Sequence, residues 1–595
     1  MLGQRGPQRG LFEADRGYLK FVGEESFYGF LAAHRDELFR DEKYAQFYCL
    51  ENGRPSVPPS LLAMALVLQT YDHVSDEEAK RRADYDIQWK VALGVELDAR
   101  PFARSTLEEF RARLVTNEQQ RAIFDESLEL AKRQGYFQGK QKLKVALDTT
   151  NILGRGAVKD TYNLLADGIV QVLRVLAKQA GEQLGAVAER EGFGRYTSDV
   201  SLKGQAEIDW SNPSEQRRFL QEIVADADRV LELVRVARGK LTEDSLEDVA
   251  LREAAGLLSR VLAQDIERKQ DGAALVEGVA KDRLVSVHDP EMRHGRKSKS
   301  KRFDGHKADV AVDTDSQLIT AVGVIAGNAG DAEQALERIA ETEAATGCVV
   351  EETIGDCAYG GGETRQAFAE ADRVLIAKVP AEQNGGRFTK GQFQIDLEAL
   401  TCTCPAGVTT EQLRKHGQGV RVFQFAAEVC GSCPLREQCV KGSGGRSVQV
   451  HPQEALLKAA RVLQESPAFR EYRTRRQAAE HRIARLVQLG IRQARYFGSP
   501  KTLFQLSMAA AVANFVLLAN RSAEAAQTLA SACPQGLLTL FSALVRHLMT
   551  PIRVFQPIRV LQPFTGFSGT SSQFSNSQGS SRSCCVKMLG FRHRF

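Results

Sequence analysis

Between Ser56 and about Val115 the apolar positions fall at helical spacing. PPSLLAMALVLQTY is rich in strong helix formers, and SDEEAKRR (Ser75 to Arg82) opens on a cap residue and runs from acids to bases. A third helix is predicted from Ser105, where Ser105 and Glu108, overlapped by Thr106 and Glu109, have capping-box spacing ahead of FRARL. From Lys142 the period changes to two, and LKVALDTT reads as a buried strand ending at Asp148. From Leu164 to about Lys281 the helical period returns, with Leu173, Leu176, Leu184 and Val187 on one helix and Phe219, Ile223, Val230 and Val234 on another. Strands resume at KADVAVDT (Lys307 to Thr314) and QLITAVGVIAG (Gln317 to Gly327), joined through Asp315 and Ser316 as an antiparallel hairpin. DAEQALERIAETEAA then predicts a helix, VVEETIGD a strand delivering Asp356, GETRQAFAEAD a helix and VLIAKV a last strand.

Three strands followed by alternating helix and strand is the order of an RNase H-like core. The expected fold class is α/β: an RNase H-like mixed sheet core interrupted by a helical insertion and a Cys-rich zinc-binding insertion, preceded by an all-helical N-terminal domain. The boundaries expected are 1–135 for the helical N-terminal domain, 136–163 for the first core strand and 164–285 for the helical insertion. The core continues over 286–395, the Cys-rich insertion over 396–450 and the C-terminal helices carrying Glu480 over 451–532, leaving 533–595 as a low-complexity tail.

A chain of 595 residues has room for three or four domains of roughly 150 residues each. Hydrophobic content of 43% and charged content of 26% are those of a globular protein, and the apolar stretch Met508 to Ala519 falls short of a membrane span, so no membrane association is expected. The N-terminus MLGQRGPQRGLFEADRGY lacks the apolar stretch of a secretory signal, which predicts a cytosolic protein whose eleven cysteines stay reduced. Net charge is only +4, so charge informs through its distribution. Beyond Glu524 there is no Asp or Glu, PIRVFQ is followed at once by PIRVLQ, and disorder is expected from Thr565 to Ser583.

Three acids stand where a metal-dependent phosphoryl-transfer enzyme needs them. Asp148 and Asp356 end apolar runs, Glu480 lies on a helix, and a fold gathering the three would offer hard oxygen ligands to two Mg²⁺ or Mn²⁺ ions. Most acids in a chain with 75 of them are simply solvated, so it is the setting that singles these out. The run RHGRKSKSKRFDGHK supplies Arg293, Arg296, Lys297, Lys299, Lys301, Arg302 and Lys307 as candidate DNA-backbone contacts, the alternative being a solvated loop. Cys430, Cys433 and Cys439, with Cys402 and Cys404 upstream, have the spacing of a structural thiolate zinc site, which needs four of the five; reduced buried cysteines are the alternative. Trp210 precedes a helix in the insertion and reads first as a core anchor.

These blocks, taken in order, resemble the DDE transposases of bacterial insertion sequences, in the branch with a helical N-terminal domain and a large insertion in the RNase H-like core. The resemblance runs from about Phe12 to Ala519 and is carried by PFARSTLEEFRARL, ALDTTNILGRGAVKDTYNLL, VHDPEMRHGRKSKSKRFDGHKADVAVD, IGDCAYG and AAEHRIARLVQLGIRQARYFG. It implies that Asp148, Asp356 and Glu480 are the catalytic metal-binding triad and that Cys404 is the fourth zinc ligand. The family's Tyr, Arg, Glu, Lys signature is similar to Tyr472, Arg476 and Glu480, which implies DNA contacts for Tyr472 and Arg476. Here the Tyr-to-Arg spacing is one residue longer than usual, and Val487 stands where Lys is common. The implied activity is binding of element ends, cleavage by metal-activated water and joining of 3′-hydroxyls to target DNA. A homodimer or larger assembly on DNA is implied, acting in the bacterial cytosol at the nucleoid. In a related branch an aromatic residue of the insertion stacks on an extruded base, a second reading for Trp210. The runner-up is a catalytically inactive, transposase-derived DNA-binding regulator, which the unusual tail keeps open.

Overall fold

The computed structural model describes residues 1–5, 13–49, 53–298, 300–417 and 419–532, so Lys299 and the tail at 533–595 lie outside the described residues. Residues 1–520 form one unit; of the second, 521–595, only the end of its entering helix is described.

The N-terminal helices follow the apolar pattern closely. α1 (Pro59–Asp72) starts on proline and buries every residue from Pro59 to Gln69, as an element apolar on all sides must. The helix Asp76–Tyr85 begins as predicted, with Ser75 Oγ accepting from the Glu78 amide at 3.2 Å. The predicted capping box at Ser105 does not form. α2 (Arg104–Thr116) closes its first turn on the Ala103 carbonyl, which accepts from Thr106 and Leu107; Ser105 is thereby inside the helix, and Glu108 pairs with Arg104 at 2.7 Å.

The sheet that positions the candidate site has six strands. β1 (Lys142–Leu153) does not end at Asp148 as the sequence pattern predicts but runs five residues further, because β3 (Arg302–Asp313) pairs with it antiparallel from Val145 to Leu153. The free edge of β3 is shared by two partners: β2 (Arg293–Arg296) on its first residues and β4 (Ile319–Ala326) on the rest, both antiparallel. On the other side of β1 lie β5 (Val349–Gly355) and β6 (Val374–Ala377), both parallel. Both faces are covered, which is why the central strands read as nearly continuous apolar runs. α3 (Ala335–Thr346), starting four residues later than its sequence pattern, packs on β3, β4 and β5, while α4 (Phe469–Leu486) packs on β1, β3 and β5.

α5 (Ser499–Ala532) corrects the expectation that no apolar stretch is long enough for a membrane span. Its segment Ser499–Ala525 is long and apolar enough to cross a membrane by length and composition. Most of it is instead buried in the protein's main core with residues of α1 and the sheet. Asn514 in its middle is fully buried and satisfied, accepting from the Ile319 amide at 3.0 Å and donating to the Ile319 carbonyl at 2.9 Å, which pins α5 to the start of β4.

The insertion between β1 and β2 has its own core, built by helices Thr161–Ala180, Pro213–Arg238 and Leu246–Asp265. The predicted single helix through Leu173 and Val187 is two, broken at Gly181 in the left-handed region (φ 68°), and a small hairpin (Ile266–Lys269 with Gly272–Leu275) closes the subdomain. Trp210 is half-buried there, edge-on to Tyr162 and Phe219, in the role of a core anchor. A third, small core gathers Phe393, Cys402, Phe423, Phe425, Val448 and Val450 around the cysteine-rich segment.

Candidate functional site

β1 and β5 are parallel neighbours, so Asp148 on β1 and Asp356, one residue past β5, emerge side by side, and α4 crosses the same strands with Glu480. Asp148 Oδ1 accepts from the Thr149 amide at 2.8 Å. Asp356 caps the short turn Cys357–Tyr359, its Oδ1 accepting from the Ala358 amide at 2.8 Å, which fixes that carboxylate at the strand end. Burial, reinforced by the negative charges of Asp356 and Glu480, raises the Asp148 carboxyl to about 6; the Thr149 amide and Arg476 work against this. The three acids thus bring negative charge together on this part of the sheet, with Asp356 and Glu480 both felt at the Asp148 carboxyl.

The cation that touches this set is Arg476. Its guanidinium hydrogen-bonds Glu480 one helical turn on and stands 3.7 Å from Asp148 Oδ2. Arg476 thus makes the helical pair its spacing predicts and also bridges α4 to β1. Tyr472, one turn earlier, donates at 3.4 Å to Glu352 on β5, whose other oxygen pairs with Lys144 of β1 at 3.1 Å. Among the described residues no group of three or more His, Cys, Asp or Glu side chains is placed to hold a metal ion.

Several residues that no sequence motif marked complete the surroundings. Arg492 donates from Nη1 to Thr150 Oγ1 at 3.1 Å and Asn151 Oδ1 at 2.6 Å, tying the segment after α4 to the end of β1. On the other face of the sheet Asp309 is fully buried opposite Thr149, with neither carboxylate oxygen hydrogen-bonded among the described residues and Arg338 at 3.6 Å. Burial, partly offset by Arg338, raises its carboxyl to about 7. Tyr359, from the turn after Asp356, is buried too, its hydroxyl without a hydrogen-bond partner and Asp309 foremost among the charges that act on it. An acid inside an otherwise apolar strand was the available signal for Asp309.

The basic run is a hairpin rather than a flexible loop: β2 pairs Arg293 to Arg296 with the start of β3, and the Lys297 amide donates to the Lys301 carbonyl at 2.9 Å. Arg296, Lys297, Lys301 and Arg302 are exposed and free of ion pairs among the described residues. The two ends of the run differ. Arg293 turns back to the Pro290 and Met292 carbonyls, and Lys307 is held by Asp331 at 2.7 Å and the Ala329 carbonyl at 2.6 Å.

Cys404 follows the strand Thr401–Thr403, Cys430 sits in the helix Ala427–Gly431, Cys433 follows it, and Cys439 ends the helix Arg436–Cys439. All four line one cavity of about 510 Å³, whereas Cys402 points into the small core and its thiol is pushed up to about 11 by burial. The Arg446 amide donates to Cys430 Sγ at 3.4 Å, the kind of bond that supports a thiolate. Among the described residues the four thiols do not come together as a metal-holding group, and no disulfide occurs.

Comparison with known proteins gives two matches. A family described as "Transposase DDE domain" matches residues 403–519, a stretch that contains Cys404, Cys430, Cys433, Cys439 and Glu480. A second, described as "Transposase domain (DUF772)", matches residues 17–113, the N-terminal helices. No curated protein gives a significant match.

Proposed function

Because this chain belongs to the DDE-type transposases of insertion sequences, we propose that it binds the ends of its element, cleaves them with metal-activated water and joins the freed 3′-hydroxyls to target DNA. The observation that carries this reading is that Asp148 and Asp356 stand at matching positions along neighbouring parallel strands, with α4, which carries Glu480, packed across them. The antiparallel pairing of β1, β3 and β4, followed in the chain by the parallel β5 and β6, supports an RNase H-like core. When bound, two Mg²⁺ or Mn²⁺ ions supply the activated water and offset charge on the attacking and leaving oxygens.

The chain's own residues prepare that chemistry. Asp148 lies within β1 and Asp356 directly after β5, so their backbone positions follow from strand pairing rather than from loop closure. Arg476 would balance the acids and meet the scissile phosphate, a role supported by its ion pairs with both Asp148 and Glu480. The pair of Tyr472 with Glu352 docks the first turns of α4 on the sheet, so Tyr472 reaches DNA only if it leaves that partner. The N-terminal helices take the role of end recognition, and the exposed cations of the β2–β3 hairpin that of phosphate contact. For the cysteines the reading is a structural zinc held by Cys404, Cys430, Cys433 and Cys439, supported by their shared cavity and the amide bond to Cys430. A dimer or larger assembly on DNA in the cytosol completes the proposal.

The test is incubation of the full chain with a duplex bearing the inverted repeats that flank its gene, in Mg²⁺, with Asp356→Asn as control. Nicking at the repeat end followed by strand joining is expected from the unaltered chain only. Cleavage without joining would make it a nuclease, and tight binding without cleavage an inactive regulator.

A further inference from the structure

Where the N-terminal helices meet the turn that follows α4 there is a cavity of about 230 Å³. One wall comes from α1 and α2, the other from the segment Leu489 to Tyr496 and α5. Some of its polar groups are already satisfied. Gln69 accepts from Arg111 at 3.0 Å and donates to Asp76 at 2.7 Å, and Gln505 donates to the Gly490 and Gln493 carbonyls at 3.2 and 3.0 Å. Arg111 is also committed, paired with Asp76 at 2.5 Å. The side chains of His73, Arg495 and Tyr496 have no hydrogen bond or ion pair among the described residues, and all three line this cavity.

The backbone takes uncommon forms to put them there. His73 ends α1 in the left-handed region at φ 56°. Opposite it, the chain leaves α4 through a π turn, Val487–Ile491, with Gly490 at φ 88°, and a Cβ on Gly490 would stand 3.8 Å from the His73 ring. Such turns and left-handed residues are costly and concentrate at functional sites. Electrostatics agree: burial, and behind it the charges of Arg495 and Arg485, hold the His73 imidazole below its ordinary value, with Asp72 opposing. A wall whose free groups are donors, and whose acid Asp76 is already neutralised by Arg111, is suited to an oxyanion.

We propose that this cavity binds a backbone phosphate of the DNA, with Arg495 as charge partner and His73 and Tyr496 as hydrogen-bond donors. The proposal rests on the transposase reading above and adds a site to it. From Glu480 to Gly490 the helical rise amounts to about 15 Å, the length that about four phosphates of one strand occupy along a duplex axis. Because the N-terminal helices and the end of α4 both contribute to it, one phosphate held there sets the register of the DNA end against Asp148 and Asp356.

The experiment measures binding of the full chain to a terminal-repeat duplex in which single phosphates are replaced by neutral methylphosphonates, comparing the unaltered protein with Arg495→Gln and His73→Gln. The unaltered protein should lose roughly tenfold affinity at one or two positions near the cleaved end, and Arg495→Gln should be insensitive at those same positions. Its slope of log affinity against log salt should also fall by about 0.9. His73→Gln, a milder change, should reduce sensitivity at the same positions and so guards against a folding defect in the first variant. The site is overturned if Arg495→Gln keeps the unaltered sensitivity pattern and slope. It is likewise overturned as a DNA site if inorganic phosphate raises the melting temperature through Arg495 while the duplex pattern is unchanged. If the unaltered chain binds no duplex, the transposase reading fails and this site fails with it; if it binds and cleaves with an unchanged variant, only this site fails.

Discussion

The carboxylate site and the cysteine module are both sets of candidate metal ligands, yet the chain supports them in opposite ways. Asp148, Asp356 and Glu480 come from distant parts of the sequence and are held by strands and a helix within the largest core of the protein. Their backbone positions need no ion. The four cysteines lie within a short stretch, on or just after elements of three to five residues, around a core with a handful of buried side chains. A core that small stabilises little by itself, so an ion bound there would contribute to folding, while an ion at the carboxylates would contribute to chemistry.

Removing one ligand from each set tests this contrast most severely. Asp148→Asn, Asp356→Asn or Glu480→Gln should lower metal-dependent cleavage by roughly a thousandfold or more, about 4 kcal/mol of barrier, with thermal stability kept. Cleavage near the unaltered rate in any one of them would remove that residue from the set. Cys433→Ser should do the reverse. Protein purified without added metal should carry about one zinc per chain, and the variant should lose it together with several kcal/mol of stability in the module. An unaltered chain free of zinc, with thermal unfolding indifferent to chelator, would leave the cysteines as reduced core residues.

A third test concerns how much strain the large core absorbs. Asp309 has its carboxyl raised to about 7 by burial, against an unfolded value near 4. The folded chain then keeps this proton where the unfolded chain has lost it, so the group favours folding at low pH and its contribution falls as pH rises from about 4 to about 7. A tenfold difference in proton affinity between the two states is worth about 1.4 kcal/mol, so Asp309→Asn should gain up to a few kcal/mol at pH 8 and almost nothing at pH 4. Urea unfolding at the two pH values checks this, and an equal effect at both would refute it. The smallest expected effect is on the hairpin: neutralising Arg296, Lys297, Lys299 and Lys301 should weaken binding to all duplexes alike, flattening the salt slope by up to about 0.9 for each phosphate no longer neutralised. Weakening confined to the element ends would instead make the hairpin a base reader.

Local periodicity was enough to order the elements and to single out the three acids, because a strand buried on both faces and an amphipathic helix each leave their own period in the chain. The spacing of the cysteines is local too, but convergence of their thiols is a tertiary property, and among the described residues they form no metal-holding group. How far β1 runs was not, since the residues after Asp148 are strand only because β3 is long enough to pair with them. The helix break at Gly181 and the failed cap at Ser105 turn on single backbone conformations that a periodic pattern averages away. Nor could the sequence place Arg492 on Asn151, Asp309 beneath the site, or His73 against Arg495, for these partners lie far apart in the chain and only the packing of α1, the sheet and the turn after α4 brings them within reach.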